Sequence, residues 1–218
     1  MCRFSVSLIF SSLLSKISES RRTEIHASFQ KNSRRDANQV LANGGIATGL
    51  IVVWLIVPRP IFYFLYVGAI AAVAADTWAT EIGVLGGQRP RSIRTWRLVP
   101  PGTSGGITTV GVLGAMAGAS TIAVAAWTTH PASPGYEFGG LEILILSVCG
   151  VLAHFLDSML GATVQAQYLC TECGSSTERL KHCQGSNGIL HRGLKWIDND
   201  VVNSLCALGG ALLVLMMI

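Results

Sequence analysis

The sequence predicts an all-α, polytopic membrane helix bundle of about five transmembrane helices, with one short cysteine-containing loop outside the bilayer. Three observations carry this prediction. Half of the 218 residues are hydrophobic and only 13% are charged, about half the charged share of a soluble domain, and the mean hydropathy is +0.48. Five apolar runs recur along the chain, none with a clear polar face. The basic residues gather in alternate connecting segments. The 24 glycines would each cost a soluble helix about 1 kcal/mol, whereas membrane helices use small residues to approach one another.

Residues 1–36 form a first region. Phe4–Leu14 is apolar but diluted by serines and too short to span alone. It is either a signal-type segment or the tail of a longer membrane helix in a chain that starts late, and both readings stay open. Ser15–Asp36 is polar and basic, a solvated loop that tends to stay in the cytosol. Residues 37–218 form the membrane domain. Val40–Val57 is its first apolar run, closed by Pro58-Arg59-Pro60. Ile61 to about Ala75 is the second and runs into Asp76. Gly105–Ala126, Gly139–Leu156 and Val201–Ile218 complete the set.

Alternating the five spans sorts the connections into two groups. Ser15–Asp36, the segment with Arg89, Arg91, Arg94 and Arg97, and the 165–200 loop with Arg179, Lys181, Arg192 and Lys195 fall on one side. The other side holds Arg59 alone. This positive-inside asymmetry places the N-terminal segment in the cytosol and the C-terminus opposite. A net charge of +4, with bases set between apolar runs, excludes nucleic acid as the natural partner and favours the lipid bilayer and its anionic head groups. Six cysteines, two of them (Cys149 and Cys206) inside apolar runs, exclude a secreted disulfide framework.

With that topology, Asp76 and Glu81 fall at the inner end of the second span, Asp157 at that of the fourth, and Asp198, Asp200 and Asn203 at the inner start of the fifth. Hard oxygen ligands collected at one depth suit Mg²⁺. Asp198 equally fits a helix cap. Asp76 and Asp157 abut long apolar runs, where ionised groups are costly and usually functional, although a boundary position facing water is the plainer alternative. Gly102-Thr103-Ser104-Gly105-Gly106, leading into a helix, can turn backbone N–H groups toward an anion, with Arg94 and Arg97 as phosphate clamps; a simple turn is the plainer reading. It is not a Walker A loop, since no lysine follows the glycines. Gly114-x-x-x-Gly118 fits close helix packing. Cys170-x-x-Cys173 with His182-Cys183 offers four ligands to a tetrahedral Zn²⁺, the alternatives being reduced thiols or a redox pair.

Four segments, Asp76-Thr77-Trp78-Ala79-Thr80-Glu81-Ile82-Gly83, Val99-Pro100-Pro101-Gly102-Thr103-Ser104-Gly105-Gly106, Asp157-Ser158-Met159-Leu160-Gly161-Ala162-Thr163-Val164-Gln165 and Asp198-Asn199-Asp200-Val201-Val202-Asn203, resemble in order and spacing the transmembrane protein 19 family, over roughly residues 36–218. That family includes the plant phytyl-phosphate kinase. The resemblance implies transfer of phosphate from a nucleoside triphosphate, CTP or ATP, to an isoprenoid monophosphate, with Mg²⁺. The resemblance assigns no residue roles; from the clustering of the residues themselves, Asp76, Asp157 and Asp200 are the expected Mg²⁺ or base positions, Glu81 and Asn203 their support, and Arg94, Arg97 and the Gly102–Gly106 turn the phosphate holders. The lipid tail is expected along the glycine-rich third span. A transporter or channel using intramembrane carboxylates, or a membrane scaffold recruiting a partner through its metal-bound loop, are the other classes. Oligomeric state is not legible.

Overall fold

The computed structural model describes residues 37–130, 137–183 and 185–218. The apolar start and the basic Ser15–Asp36 segment lie outside the described residues, as does part of the connection around residue 133. Among the described residues, five helices are long and apolar enough to cross a membrane: α1 (Ala37–Ile56), α2 (Pro60–Leu85), α3 (Thr109–Thr129), α4 (Gly140–Thr163) and α5 (Asn199–Met217). Pro60 opens α2 at a first-turn position, where its missing N–H costs nothing.

The helices differ from the apolar runs in one consequential way. α2 continues ten residues beyond Ala75, through Asp76 and Glu81, and α4 continues through Asp157 to Thr163. Hydropathy marks where lipid contact ends; the backbone needs only its i→i−4 bonds, and these run on until Gly86-Gly87 and Val164. Asp76 lies sixteen residues into α2 and Asp157 seventeen into α4, or about 24 and 26 Å along helices crossing a hydrocarbon layer of roughly 30 Å. Both carboxylates are therefore within the spans, not at the helix ends expected from the sequence.

α2 is the central helix and touches all four others. Its contacts are made by small residues. A side chain at Gly114 would stand 2.7 Å from the Trp78 carbonyl oxygen, and one at Gly118 2.7 Å from that of Ala74, so the Gly114-x-x-x-Gly118 stripe lets the backbones of α2 and α3 meet. That stripe is covered by α2. The small face of α3 is spent on helix packing, and its exposed face carries Leu113, Met116 and Val124. The core is largely alanine (Ala71, Ala75, Ala115, Ala119, Ala123 and Ala126 are among its buried members), while Leu41, Leu55, Leu113, Leu144, Leu208, Leu212 and Leu215 point outward. Small inside and large apolar outside is the arrangement a bilayer rewards, because lipid contact removes the penalty for exposed leucine.

The two basic segments lie at one end of the bundle. After α2, β1 (Arg91–Ser92) pairs with β2 (Gly106–Ile107). After α4 the loop is more organised than the sequence suggests: β3 (Gln167–Leu169) is flanked by β4 (Ser176–Thr177) and β7 (Ile189–Arg192), and β5 (Lys181–His182) pairs with β6 (Ser186–Asn187).

Candidate functional site

Four sequence-distant segments meet where α2, α4 and α5 reach the basic end. Gly210 of α5 abuts the Gly68 backbone and Ala72, and the Cys206 thiol points at the carbonyl oxygens of Ala153 (3.4 Å) and Ala72 (3.9 Å). One turn nearer the basic end stand Asp76, four residues after Ala72; Asp157, four after Ala153; and Asn203, three before Cys206 on the antiparallel α5. The fold thus sets these three side-chain positions at one level. Asp157 is within hydrogen-bonding reach of Asp76, while its Oδ1 is buried and without a partner. His154 Nδ1–H donates to Asp76 Oδ1 at 3.0 Å, and His154 is nearly fully buried.

Above the carboxylates, the 100–106 turn docks on α4. Gly105 has φ +75° and lies so close to the helix that a Cβ would come within 2.6 Å of the Ser158 carbonyl oxygen; only glycine meets both demands. This seats Ser104 between Gln165 Oε1 (2.8 Å) and Glu178 Oε1 (2.9 Å). A serine has one hydroxyl proton. Turning the Gln165 amide over lets its nitrogen donate to Ser104 while Ser104 donates to Glu178. Either way, the far end of the Gln165 amide is buried and unpartnered. Glu178 is also near enough to Asp157 for their charges to interact. Arg192 donates through Nη2 to the Gly161 carbonyl oxygen at 3.0 Å. Burial, and then the neighbouring charge of Arg94, hold its guanidinium below the ordinary arginine range. A guanidinium that feels a second cation and keeps a buried donor without a partner, Arg192 Nε, makes a place an anion would stabilise.

Not every expected residue joins this cluster. Asp198 caps α5, accepting from the Asp200 and Val201 amides at 3.0 Å each. Asp200 lies in the first turn of that helix. Glu81 is buried but sits five residues from Asp76, about 140° around α2. Within the turn, the Thr103 amide and hydroxyl bond to Pro100 O, and the Gly106 amide to Thr103 O, while Gly102 supplies its other positive φ. Arg97 is exposed, its carbonyl accepting from Ser92. The α3 N-terminus, expected to face a phosphate, is occupied: Thr108 Oγ1 accepts from Gly111 N at 2.9 Å, and Gln88 binds the Thr109 hydroxyl. A helix that has capped itself offers an anion little. Of the expected phosphate holders, Ser104 reaches the cluster, while Arg94 is exposed and its charge is felt at Arg192.

Sequence reasoning gave no site role to His154, Gln165, Glu178, Arg192 or Cys206. A signal existed for His154, an ionisable residue inside an apolar run and one turn from Asp157. None existed for Glu178 and Arg192, which arrive through the fold of the loop.

A second cluster lies in that loop. Ligand atoms of Cys170, Cys173, His182 and Cys183 fall within 4.8 Å of one another, and no disulfide joins them. Hydrogen bonds from the Ser175 side chain and backbone bring the Cys173 thiol down to about 6, and backbone hydrogen bonds from Cys173 and Glu172 lower that of Cys170. The Cys183 thiol, hydrogen-bonded to Cys173, is pushed up to about 12. His182 is raised by its hydrogen bond to Cys170.

Five apolar helices around an alanine core, with an ionisable cluster opening toward one end, define a polytopic membrane protein with a polar site between its helices. The chain belongs to the family described as integral membrane protein DUF92, which matches residues 3–211, in keeping with the transmembrane protein 19 resemblance. Among relatives, Protein PGR of Arabidopsis thaliana is 30% identical over 185 residues, covering 76% of this chain and 64% of that protein. An uncharacterised membrane protein of Methanocaldococcus jannaschii is 34% identical over 98 residues (44% of this chain, 38% of its own). One from Synechocystis is 27% identical over 146 residues (67% and 44%). The chain thus spans less than two thirds of the length of each of these relatives. No solved structure matches it.

Proposed function

We propose that this protein is a lipid-phosphate kinase, transferring the terminal phosphoryl group of CTP or ATP to an isoprenoid monophosphate with Mg²⁺. The observation that carries the reading is the Asp76–Asp157 pair, drawn from two helices, with a buried, unpartnered oxygen on Asp157 beneath the turn that carries Ser104. Adjacent carboxylates repel unless a proton or a cation lies between them, and two carboxylates plus substrate phosphates is the usual setting for Mg²⁺. The donor set fits: Asp76 and Asp157 would hold the ion, with Asn203 level with them. The ion would neutralise charge on the transferred phosphoryl group.

The chain's own residues have a limited task. A phosphate monoester already carries about −1.5 to −2 charges at neutral pH, so its oxygen attacks without a general base. That oxygen bonds to the terminal phosphorus, the bond to the bridging oxygen breaks, and the nucleoside diphosphate leaves with the electron pair. Arg94, Arg192 and Ser104 would orient the phosphates, and His154 would hold Asp76 in place. The isoprenoid substrate rests on the resemblance.

A second reading, transport of a cation or proton, is favoured by one observation: Asp76, His154 and Asp157 lie within the spans by depth. One experiment separates the two. Purified protein with Mg²⁺, labelled CTP or ATP and phytyl or farnesyl monophosphate is expected to form labelled diphosphate, and Asp76→Asn and Asp157→Asn to abolish it. Absence of transfer, together with Asp157-dependent proton or cation flux in liposomes, would replace the kinase with a transporter.

A further inference from the structure

We infer that Cys170, Cys173, His182 and Cys183 form a structural Zn²⁺ site, and that this ion fixes the loop that carries Glu178 to the membrane site. The geometry comes first. Tetrahedral zinc with Zn–S near 2.3 Å and Zn–N near 2.05 Å requires ligand atoms about 3.5–3.8 Å apart. His182 Nδ1 stands 3.5 Å from Cys173 Sγ and 3.2 Å from Cys183 Sγ, and all four atoms lie within 4.8 Å of one another.

The backbone supplies an independent reason. Consecutive residues of an extended chain point to opposite sides, so neighbouring His and Cys side chains do not ordinarily face one point. Here Cys183 adopts φ +36°, left-handed geometry that disfavours a non-glycine residue, and both side chains turn toward the Cys170–Cys173 turn. That turn is itself shaped to present two thiols: Cys170 N donates to Ser175 O, and Gly174 N, at φ +68°, donates to Cys170 O. Cys183 also opens the β5–β6 turn, its carbonyl oxygen accepting from Ser186 N.

The loop also lacks what would otherwise hold it. Between α4 and α5 the buried apolar residues are Ala166, Tyr168, Cys170 and Ile197, too few for a core. In comparably small units the binding of a structural zinc is itself the free energy that folds the chain.

The consequence for the membrane site rests on the kinase reading only in its last step. Glu178 lies five residues after Cys173 and four before His182, inside the segment the ion would close. Thr177 is buried, and its hydroxyl accepts from Arg179 N, which fixes the turn from which Glu178 reaches Ser104. Glu178 is thus a positioning residue whose placement the metal secures.

The test is elemental analysis of the full chain, purified in detergent under reducing conditions without chelator. About one zinc per chain is expected, with Cys173→Ser and Cys183→Ser losing at least nine tenths of it and Asp157→Asn retaining it. Since a cysteine variant can fail to fold, the unsubstituted protein is also exchanged with Co²⁺, and the intense visible bands of tetrahedral cobalt–thiolate are expected. A monodisperse protein with under a tenth of a zinc per chain and no such bands overturns the proposal, as does a Cys170–Cys173 disulfide in the reduced-purified protein, or zinc undiminished in both serine variants. Zinc present without phosphoryl transfer would sink the kinase reading and leave the metal site standing.

Discussion

Replacing Gly105 with alanine would place a methyl group 2.6 Å from the Ser158 carbonyl oxygen and 2.7 Å from the Ala162 amide nitrogen, at a backbone position with φ +75°. Two costs follow from separate causes. Left-handed backbone disfavours any residue with a Cβ by about 1–2 kcal/mol, and forcing a methyl into packed backbone costs about 1–3 kcal/mol. Together they amount to roughly 2–5 kcal/mol if the turn stays docked. The turn can instead lift from α4, which separates Ser104 from Gln165 and Glu178 while leaving the helices assembled. Gly45→Ala is the control: nothing lies within 4 Å of its added carbon, and alanine is the better helix former by about 1 kcal/mol. The assay is thermal unfolding in detergent for both variants, with labelled-phosphate transfer measured in parallel. Gly105→Ala should either unfold several degrees lower or keep its unfolding temperature and lose transfer. A Gly105→Ala protein matching Gly45→Ala in both measurements would refute the docking described here.

Gly118→Leu should separate α2 from α3, since its side chain would meet Ala74 backbone; a correctly folded, monodisperse variant in size-exclusion chromatography would contradict the close packing. Asp198→Ala should cost about 1 kcal/mol of α5 capping and Asp198→Asn much less, read from unfolding midpoints; equal large losses of phosphoryl transfer in both would assign Asp198 to the metal instead. A double-mutant cycle of Asp76→Ala and His154→Ala should give a coupling energy of about 1–3 kcal/mol, and a value near zero would mean the 3.0 Å contact does not hold the carboxylate. Arg192→Gln should raise the apparent KM for the phosphorylated substrate more than it lowers kcat; unchanged kinetics would remove Arg192 from the site.

The sequence alone determined that this is a membrane protein, how many spans the described residues contain, and which end of them carries the bases. Those properties follow from one-dimensional quantities: the length of apolar runs against bilayer thickness, and the placement of charge between them. Asp76, Asp157 and Ser104 could be singled out because an ionisable group against an apolar run, or a glycine-rich turn before a helix, is unusual locally. The tertiary structure decided what those residues meet. It extended α2 past its apolar run because backbone hydrogen bonding, unlike lipid contact, does not depend on hydropathy. It occupied the α3 N-terminus with Thr108 and Gln88, assigned Asp198 to a cap, and buried the glycine stripe of α3 against α2. It also brought Glu178 and Arg192, distant in sequence, to Ser104 and Gly161 through the folded connection between α4 and α5. Such contacts depend on which residues are close in three dimensions, and a linear pattern carries no record of that proximity.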